Sequence, residues 1–213
     1  GIWVAISMIG VSALGMMFFT SRPVGDAMAT TIWGTSSSWT LTALPLFVWM
    51  GEILFRTKLS ENLFEGLAPW MQKLPGGLIH VNVVGCALFA AISGSSAATV
   101  ATVGKMSIPE LRKRNYPEKI LLGSLAGSGT LGLLIPPSII LVIYGVTVQE
   151  SIAKLFIAGI IPGIMIAIIF MLYVIVWSLI NKKIMPESFE NFSFLEKVKR
   201  SKQLIPVILL ILG

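Results

Sequence analysis

Two short stretches rich in glycine, serine and threonine interrupt long uncharged parts of this sequence. The first is Ser93-Gly94-Ser95-Ser96, and the second runs from Gly127 to Gly132 and is followed by Pro136-Pro137. Glycine weakens a helix and proline removes a backbone donor, so each stretch predicts a break in helical backbone. Carbonyl oxygens exposed at such breaks, with nearby hydroxyls, suit Na⁺, and half-helix N-termini offer N–H groups to an anion. Breaks of this kind are typical of ion and substrate sites in secondary transporters.

The composition predicts that these breaks lie within a membrane. Of 213 residues, 55% are hydrophobic and only 12% are charged. Asp, Glu, Lys and Arg are absent from four blocks, which are 1–19, 78–104, 120–149 and 155–180. A bilayer core of about 30 Å takes about 20 helical residues, so the chain is predicted to be an all-α polytopic membrane protein rather than a soluble enzyme. The single cysteine, Cys86, excludes a disulfide framework, and the single histidine, His80, gives little support for His-based metal or Ser-His-Asp chemistry.

Basic residues concentrate in two connections, Lys105–Lys119 and Asn181–Gln203. Short loops rich in Lys and Arg remain on the cytoplasmic side of a membrane, so both connections are predicted to be cytoplasmic, and a nucleic-acid partner is not expected. The chain must then cross outward along Ile120–Tyr144 and return along Leu155–Ile180. Gly145–Lys154 is the predicted outer connection between them.

Upstream, two further spans are predicted at Ile2–Phe19 and Trp39–Phe55, joined by a loop at Thr20–Ser38. The next segment, Arg56–Lys73, carries mixed charge. An apolar residue recurs there at every fourth position: Phe55, Leu59, Leu63 and Leu67. This spacing places the four side chains on one helical face. The face predicts an amphipathic helix along the cytoplasmic interface, and a docking face within the protein would show the same pattern.

The block Leu78–Gly104 is long enough to cross a bilayer once, yet both of its ends are predicted on the cytoplasmic side. Two helices, Leu78–Ile92 and Ala97–Ile108, joined by the Ser93–Ser96 break, would form a re-entrant hairpin with a small polar tip. Non-helical backbone at that depth is tolerated where protein or a water-filled cavity surrounds it. The alternative is a plain span whose small residues pack against a neighbouring helix.

The block Ile120–Gln149 would be about 45 Å long as one helix. Glycines within Gly127–Gly132 weaken that helix, and Pro137 disfavours helical backbone at the residue before it. Two half-helices joined by an unwound segment are therefore predicted, in preference to a merely kinked helix.

Other polar residues in these blocks have alternative interpretations. His80 and Asn82, at the start of the hairpin, are expected to make structural hydrogen bonds rather than substrate contacts. Thr99 and Thr102 share a helical face, and they either line a substrate path or donate back to their own helix. Cys86 is expected to be a small buried apolar residue.

Several short motifs occur in an order that resembles one membrane family. They are Pro45-Leu46-Phe47, Met50-Gly51-Glu52, Gly76-Gly77-Leu78, Val81-Asn82-Val83, Ile92–Ala97, Ile135–Ser138 with Tyr144-Gly145, and Ala158–Gly163. In order and spacing they resemble the large membrane subunit of the tripartite ATP-independent periplasmic (TRAP) transporters over nearly the whole chain. Compared with that family, the chain is expected to be the N-terminal half of a longer subunit, without its first helix.

The resemblance implies an elevator-type Na⁺ symporter of the bacterial inner membrane, built from two inverted repeats. Each repeat supplies a re-entrant hairpin and a broken transmembrane helix, and this chain would hold one of the two. The expected partners are a small membrane subunit, separate or fused, and a periplasmic solute-binding protein that delivers an organic acid such as a dicarboxylate. A second hairpin and a second Na⁺ site would lie beyond Gly213.

The resemblance also implies site residues. Carried over by motif, the Na⁺ ligands would be the backbone carbonyls of Ser93, Ser96, Gly132, Ile135 and Pro137. Apart from the resemblance, the residue types at the two breaks add candidates for the hairpin tip and the substrate contact, which are Gly94, Ser95, Thr99, Ser128 and Thr130.

The predicted organisation has five parts. Residues 1–77 hold scaffold-type helices and the interfacial helix, and 78–108 the re-entrant hairpin. Residues 109–149 hold a cytoplasmic loop and the broken helix, 150–180 the outer connection and returning span, and 181–213 a cytoplasmic loop and the start of a truncated helix.

Other functions would require different features in the sequence. Within transport, the alternative is an elevator-type symporter that works without a binding protein. A membrane-embedded hydrolase would need an activated nucleophile or a metal site, for which the sequence offers little. A non-transporting scaffold predicts continuous spans, which the two breaks oppose.

Overall fold

The computed structural model describes residues 3–37, 39–57, 59–186, 193–206 and 209. Within these residues every regular element is an α-helix or a 3₁₀ turn and no strand occurs, which confirms the predicted all-helical class. The chain forms two compact units, Gly1–Thr42 and Ala43–Gly213.

The first unit contains α1 (Val4–Phe19) and α2 (Val24–Ser36). α1 agrees with the helix predicted at Ile2–Phe19, whose first residue lies outside the described part. The loop predicted at Thr20–Ser38 is wrong, because most of it is α2. Pro23 precedes α2 with a φ of −59°, a value that suits the start of a helix. Threonine hydroxyls in α2 donate to carbonyls of the preceding turn, so these polar residues fit a helix: Thr30, Thr31 and Thr35.

The segment predicted as a second span, Trp39–Phe55, consists of a 3₁₀ turn at Trp39–Thr42 followed by α3 (Ala43–Phe55). Pro45 does not interrupt α3. Pro45 lies in the first turn of the helix, where a backbone N–H has no intrahelical acceptor to lose.

The amphipathic segment forms α4 (Leu59–Met71), and its apolar face docks within the protein. Leu63 and Leu67 are 3% and 7% exposed and belong to the main hydrophobic core. The side chains of Phe55 and Leu59 lie outside the described residues. Near the end of the same face, the Trp70 indole N–H donates to Ser201 Oγ at 2.8 Å, which ties α4 to α10 (Phe194–Ser201). The structure therefore shows the apolar face of α4 as a docking face within the protein, the second of the two interpretations given for it.

The centre of the second unit is a helical hairpin made of α5 (Ile79–Ser93) and α6 (Ser96–Lys113). α5 packs against α3, α4, α6, α7 and α9 and is the most buried of the described helices. α6 extends to Lys113 rather than to the predicted Ile108. Leu111 is fully buried on this extension and Arg114 pairs with Glu110 at 2.8 Å, so the added turn is held on both faces.

The broken helix follows. α7 (Glu118–Gly129) continues into a 3₁₀ turn at Thr130–Leu133, and α8 (Ile139–Val148) begins after a short non-helical segment. The prediction of two half-helices is therefore confirmed, although Gly127 to Gly129 remain helical. α9 (Ile152–Ile180) agrees with the predicted returning span and is the one described helix long and apolar enough to cross a bilayer by itself.

Candidate ion site between the helical hairpin and the broken helix

The turn of the hairpin is closed by its own side chains. Gly94 ends α5 with a φ of 60°, in the left-handed region that glycine adopts without strain. The hydroxyls of Ser93 and Thr99 lie 2.9 Å apart, and Thr99 Oγ1 donates to the Ser95 carbonyl at 2.7 Å. Thr99 is completely buried, so its hydroxyl supports the turn from inside. Of the two roles considered for Thr99, the structure thus shows the hydrogen bond back to the preceding turn of its own helix.

The two consecutive prolines explain why the broken helix cannot be continuous. In a helix the carbonyls of Gly132 and Leu133 would accept the N–H groups of residues 136 and 137, which are both proline and have none. Ser138 Oγ donates instead to the Leu133 carbonyl at 2.7 Å. The Leu131 carbonyl accepts both Leu134 N–H and Ile135 N–H, at 3.0 and 2.8 Å. The Gly132 carbonyl receives no donor from the residues that the structure describes.

The two breaks lie against each other. The Ile139 N–H, at the start of α8, donates to the Gly94 carbonyl at 3.2 Å. A Cβ added to Gly94 would lie 2.7 Å from the Pro137 carbonyl oxygen, and one added to Gly132 would lie 2.9 Å from Ser96 N. Real Cβ atoms do not approach backbone so closely, so both positions require glycine. Glycine at these two positions thus allows the backbone of the hairpin to contact the backbone of the broken helix.

The remaining glycines of the second break serve helix packing. Gly129 lies at the end of α7, where an added Cβ would overlap the Val100 side chain of α6. Gly127 to Gly129 remain within α7, and the close approach of Val100 explains why residue 129 is glycine. Gly132 has no positive φ, so it too is required by the close approach to Ser96 rather than by an unusual backbone angle.

Four of the five carbonyls proposed as Na⁺ ligands have no hydrogen-bond donor. Within the described residues, no N–H or O–H donates to the carbonyls of Ser93, Gly132, Ile135 and Pro137. The Ser93 oxygen faces Gly51 of α3, where an added Cβ would lie 3.6 Å away. The Ser96 carbonyl belongs to the first residue of α6 and faces Gly129, at 3.8 Å from the position of a Cβ there.

Two of the five tip candidates use their hydroxyls within their own segment of the broken helix. Ser128 Oγ donates to the Ser124 carbonyl and Thr130 Oγ1 to the Gly127 carbonyl, each at 2.6 Å. Ser128 is buried, whereas Thr130 is exposed. Gly94, Ser95 and Thr99 lie together at the hairpin turn. The hydroxyls of Ser128 and Thr130 do not point toward it.

The structural interpretation of His80 and Asn82 is confirmed. His80 Nε2 lies 2.8 Å from the Pro75 carbonyl, and Asn82 Nδ2 donates to Ser124 Oγ at 3.0 Å. Cys86 is fully buried in the core, as expected. Thr102 is buried too, and its hydroxyl has no partner among the described residues.

Three positions that support the site were missed at the level of sequence. Ser138 satisfies the Leu133 carbonyl, as described above. Gly159 and Gly163 on α9 allow the loop to pack closely, since added Cβ atoms would lie 2.7 Å from the Leu134 oxygen and 2.8 Å from Ile135 Cγ1. Small residues four apart on an apolar helix are a known signal of close packing, and this signal could have identified the pair.

Comparison with known proteins identifies the family of the chain. Residues 1–213 match the sequence profile of a family described as "Tripartite ATP-independent periplasmic transporter, DctM component". The chain belongs to this family. The predicted resemblance to the TRAP large membrane subunit is thereby confirmed. The family consists of transporter permeases, so the chain is not an enzyme.

Several curated relatives are similar to most of this chain. It is 36% identical over 175 residues to the C4-dicarboxylate TRAP transporter large permease protein DctM of Pseudomonas aeruginosa, covering 82% of this chain and 41% of that protein. It is 37% identical over 157 residues to the 2,3-diketo-L-gulonate TRAP transporter large permease protein YiaN of Escherichia coli K12, covering 74% and 37%. The isethionate TRAP transporter permease protein DctMQ of Oleidesulfovibrio alaskensis is 35% identical over 173 residues, covering 81% and 27%. The chain thus spans less than half the length of these relatives.

Proposed function

We propose that the full-length permease containing this chain takes up a small organic acid across the bacterial inner membrane in symport with Na⁺. One Na⁺ would bind between the hairpin turn and the broken helix, on the carbonyls of Ser93, Ser96, Gly132, Ile135 and Pro137. The observation that carries this proposal is the direct contact of two helix breaks, at which four of these carbonyls have no donor among the described residues.

The helix ends at this point favour a cation. α5 ends at Ser93, and the 3₁₀ turn that extends α7 ends at Leu133, so two carbonyl-bearing ends meet at the breaks. Each such end carries a partial negative charge. Unpaired carbonyls are costly in a membrane, and an ion that accepts their lone pairs would remove that cost. Neutral oxygen ligands of this kind are suited to a hard monovalent cation.

The opposite helix ends favour an anionic solute. α6 begins at Ser96 and α8 at Ile139, so two N-termini also lie beside the breaks. Half-helix N-termini attract the anionic groups of substrates in secondary transporters. We therefore assign the solute contact to the turn residues Gly94 and Ser95, with Thr99 as a support of the turn. Ser128 and Thr130 act through the shape of α7 rather than through direct contact, because their hydroxyls bond within that segment.

The relatives indicate the class of solute. Their names include C4-dicarboxylate, 2,3-diketo-L-gulonate and sialic acid transporters, whose solutes are carboxylates, and an isethionate transporter, whose solute is a sulfonate. A carboxylate is also the group that a helix N-terminus binds well. We propose a small carboxylate as the solute, delivered by a periplasmic binding protein and carried with the help of a small membrane subunit.

The proposed transport movement is of the elevator type. α5 and α6 would enter the membrane from the cytoplasmic side as a re-entrant hairpin, and a second, inverted repeat would complete the site. The close packing of hairpin, broken helix and α9 supports movement of these elements as one body.

Uptake by proteoliposomes tests this function. The full-length permease, with its small subunit and binding protein, should accumulate a radiolabelled C4-dicarboxylate when an inward Na⁺ gradient is applied. An equal K⁺ gradient should give only background uptake. Na⁺-driven uptake that persists without the binding protein would instead support the binding-protein-independent symporter. Uptake that is indifferent to Na⁺ would contradict the proposed coupling.

A further inference from the structure

A basic cavity lies apart from the helix breaks, at the opposite end of α5. It has a volume of about 410 Å³ and is enclosed by the loop that precedes α5, the turn between α6 and α7, and the C-terminal end of α9. That volume falls within the range of about 300–1,000 Å³ typical of small-molecule sites. The cavity is lined by both charged and buried polar side chains, which include Gln72, Lys73, Arg114, Tyr116 and Lys182.

Among the residues that the structure describes, three cations and no carboxylate line this cavity. Arg114 is held in place by Glu110, with Nε 2.8 Å from Oε1. Lys73 and Lys182 form no ion pair or hydrogen bond within the part of the chain that the structure describes. Like charges that face one open cavity raise the local positive potential. The cavity is therefore suited to a bound anion.

Buried polar groups add hydrogen-bonding capacity to the cations. Gln72 is only 7% exposed, and its buried Oε1 has no partner among the described residues. Tyr116 is 9% exposed, and its oxygen accepts the Leu78 N–H at 3.1 Å. Burial raises the pKa of Tyr116, so its hydroxyl stays protonated at neutral pH and can donate to a ligand. A buried acceptor such as Gln72 Oε1 normally has a donor partner, which a hydroxyl of a bound ligand can supply here.

The position of the cavity indicates where its anion comes from. Ser178, Leu179 and Lys182 contribute to its wall, so it opens where the apolar helix α9 ends and charged residues begin. This is the depth at which lipid headgroups lie, on the side that the basic loops predict to be cytoplasmic. Basic pockets between helices on that side bind the headgroups of anionic lipids.

We propose that this cavity is a phosphate-binding site, occupied by the headgroup of an anionic phospholipid. The ammonium groups of Lys73 and Lys182 and the guanidinium of Arg114 neutralise the phosphate. Tyr116 donates a hydrogen bond to one of its oxygens, and Gln72 Oε1 accepts one from a hydroxyl of the headgroup. A lipid bound there joins the base of the hairpin to the end of α9, and this role does not depend on the proposed Na⁺ or solute sites.

The test measures thermal unfolding of the delipidated full-length permease during titration with a short-chain phosphatidylglycerol. Parallel titrations use a phosphatidylcholine of equal chain length and inorganic phosphate. The altered protein carries Lys73→Gln with Lys182→Gln. Its matched control carries Lys113→Gln with Lys183→Gln, which removes the same charge from the same end outside the cavity lining. A third protein, Lys73→Arg with Lys182→Arg, keeps the charge and guards against a general loss of folding.

Phosphatidylglycerol should stabilise the wild type more than phosphatidylcholine does. Its apparent affinity should fall at least about tenfold in the glutamine pair, because each lysine near the membrane surface contributes about fivefold. The Lys113/Lys183 control and the arginine pair should stay within about twofold of the wild type. Equal loss in the glutamine pair and the control, or equal stabilisation by phosphatidylcholine, would overturn the site. Stabilisation by inorganic phosphate alone, lost in the same pair, would overturn the lipid as the source of the phosphate.

Discussion

The backbone N–H of Ile139 donates to the carbonyl of Gly94 at 3.2 Å. This bond joins the first residue of α8 to the residue that ends α5, so it connects the turn of the hairpin to the second half of the broken helix. One of the orphan N–H groups of α8 is satisfied by the hairpin rather than by its own chain neighbourhood. The two breaks therefore act as one structural unit, and a substitution in either break should alter the structure of the other.

Removal of this bond should weaken Na⁺-driven uptake. Proline at the first position of a helix keeps the helix but lacks the N–H, and Ser138 already has the extended backbone that a following proline requires. We expect Ile139→Pro in the full-length permease to lower uptake about fivefold to thirtyfold, from loss of roughly 1–2 kcal/mol at this contact. Ile152→Pro at the first position of α9 is the matched control and should retain most of the uptake. Equal uptake by the two variants would contradict a role for the Gly94–Ile139 bond.

Two buried threonines on α6 should respond oppositely to loss of a hydroxyl. Thr99→Val breaks contacts to Ser93 Oγ and the Ser95 carbonyl and should destabilise the protein by about 1–3 kcal/mol. Thr102 has a buried hydroxyl without a partner in the described residues, so Thr102→Val should be neutral or slightly stabilising. Thermal unfolding of the full-length permease measures both effects. A larger loss for Thr102→Val than for Thr99→Val would show that the hydroxyl roles are assigned the wrong way round.

The predicted topology can be tested by labelling of single cysteines with an impermeant thiol reagent. Lys113 and Lys199 should be cytoplasmic, and Gln149, at the end of α8, should be periplasmic. In a Cys86→Ala background, Gln149→Cys should react from outside intact cells, whereas Lys113→Cys and Lys199→Cys should react only after the cells are opened. Labelling of Lys113→Cys from outside would contradict both the topology and the re-entrant hairpin.

Much of the second unit could be predicted from sequence, because its signals are local. Gly94 lies between two helix-forming segments, so the hairpin turn could be located to Ser93–Ser96, whereas its left-handed backbone is seen only in the structure. Pro136-Pro137 removes two helical donors, which locates the break in the second helix. The charge-free length of 155–180 likewise predicts α9 almost to its ends.

The parts that failed depend on contacts that a linear pattern does not contain. Gly127 and Gly129 were expected to unwind the helix, but Gly129 is required because Val100 of α6 packs against it. α2 was expected to be a loop because of its Thr and Gly content, yet its threonines satisfy their hydroxyls within the helix. The hydroxyls of Ser128 and Thr130 were candidates by residue type alone, and only the structure shows that they bond within their own segment.

Substitution of Gly132 is the most specific single change that tests the proposed ion site. An added Cβ would lie 2.9 Å from Ser96 N and 3.0 Å from Ser96 Cα, so Gly132→Ala must separate the two breaks slightly. Gly132→Leu should separate them further and abolish Na⁺-driven uptake, with membrane insertion nearly unchanged. Gly123 on α7 has open space where a Cβ would be, so Gly123→Ala is a matched control that should transport normally.

The most direct test of the central claim is Na⁺ binding by the purified full-length permease without solute, measured as thermal stabilisation during titration with NaCl against choline chloride. A misplacement of ligand carbonyls by a few tenths of an ångström is costly at a site built from fixed backbone oxygens. Gly132→Ala should therefore need at least about tenfold more Na⁺ than the wild type for half-maximal stabilisation, a change of about 1.4 kcal/mol. Gly123→Ala should follow the wild-type curve. An unchanged Na⁺ dependence in a folded Gly132→Ala protein would contradict a Na⁺ site between the hairpin turn and the broken helix.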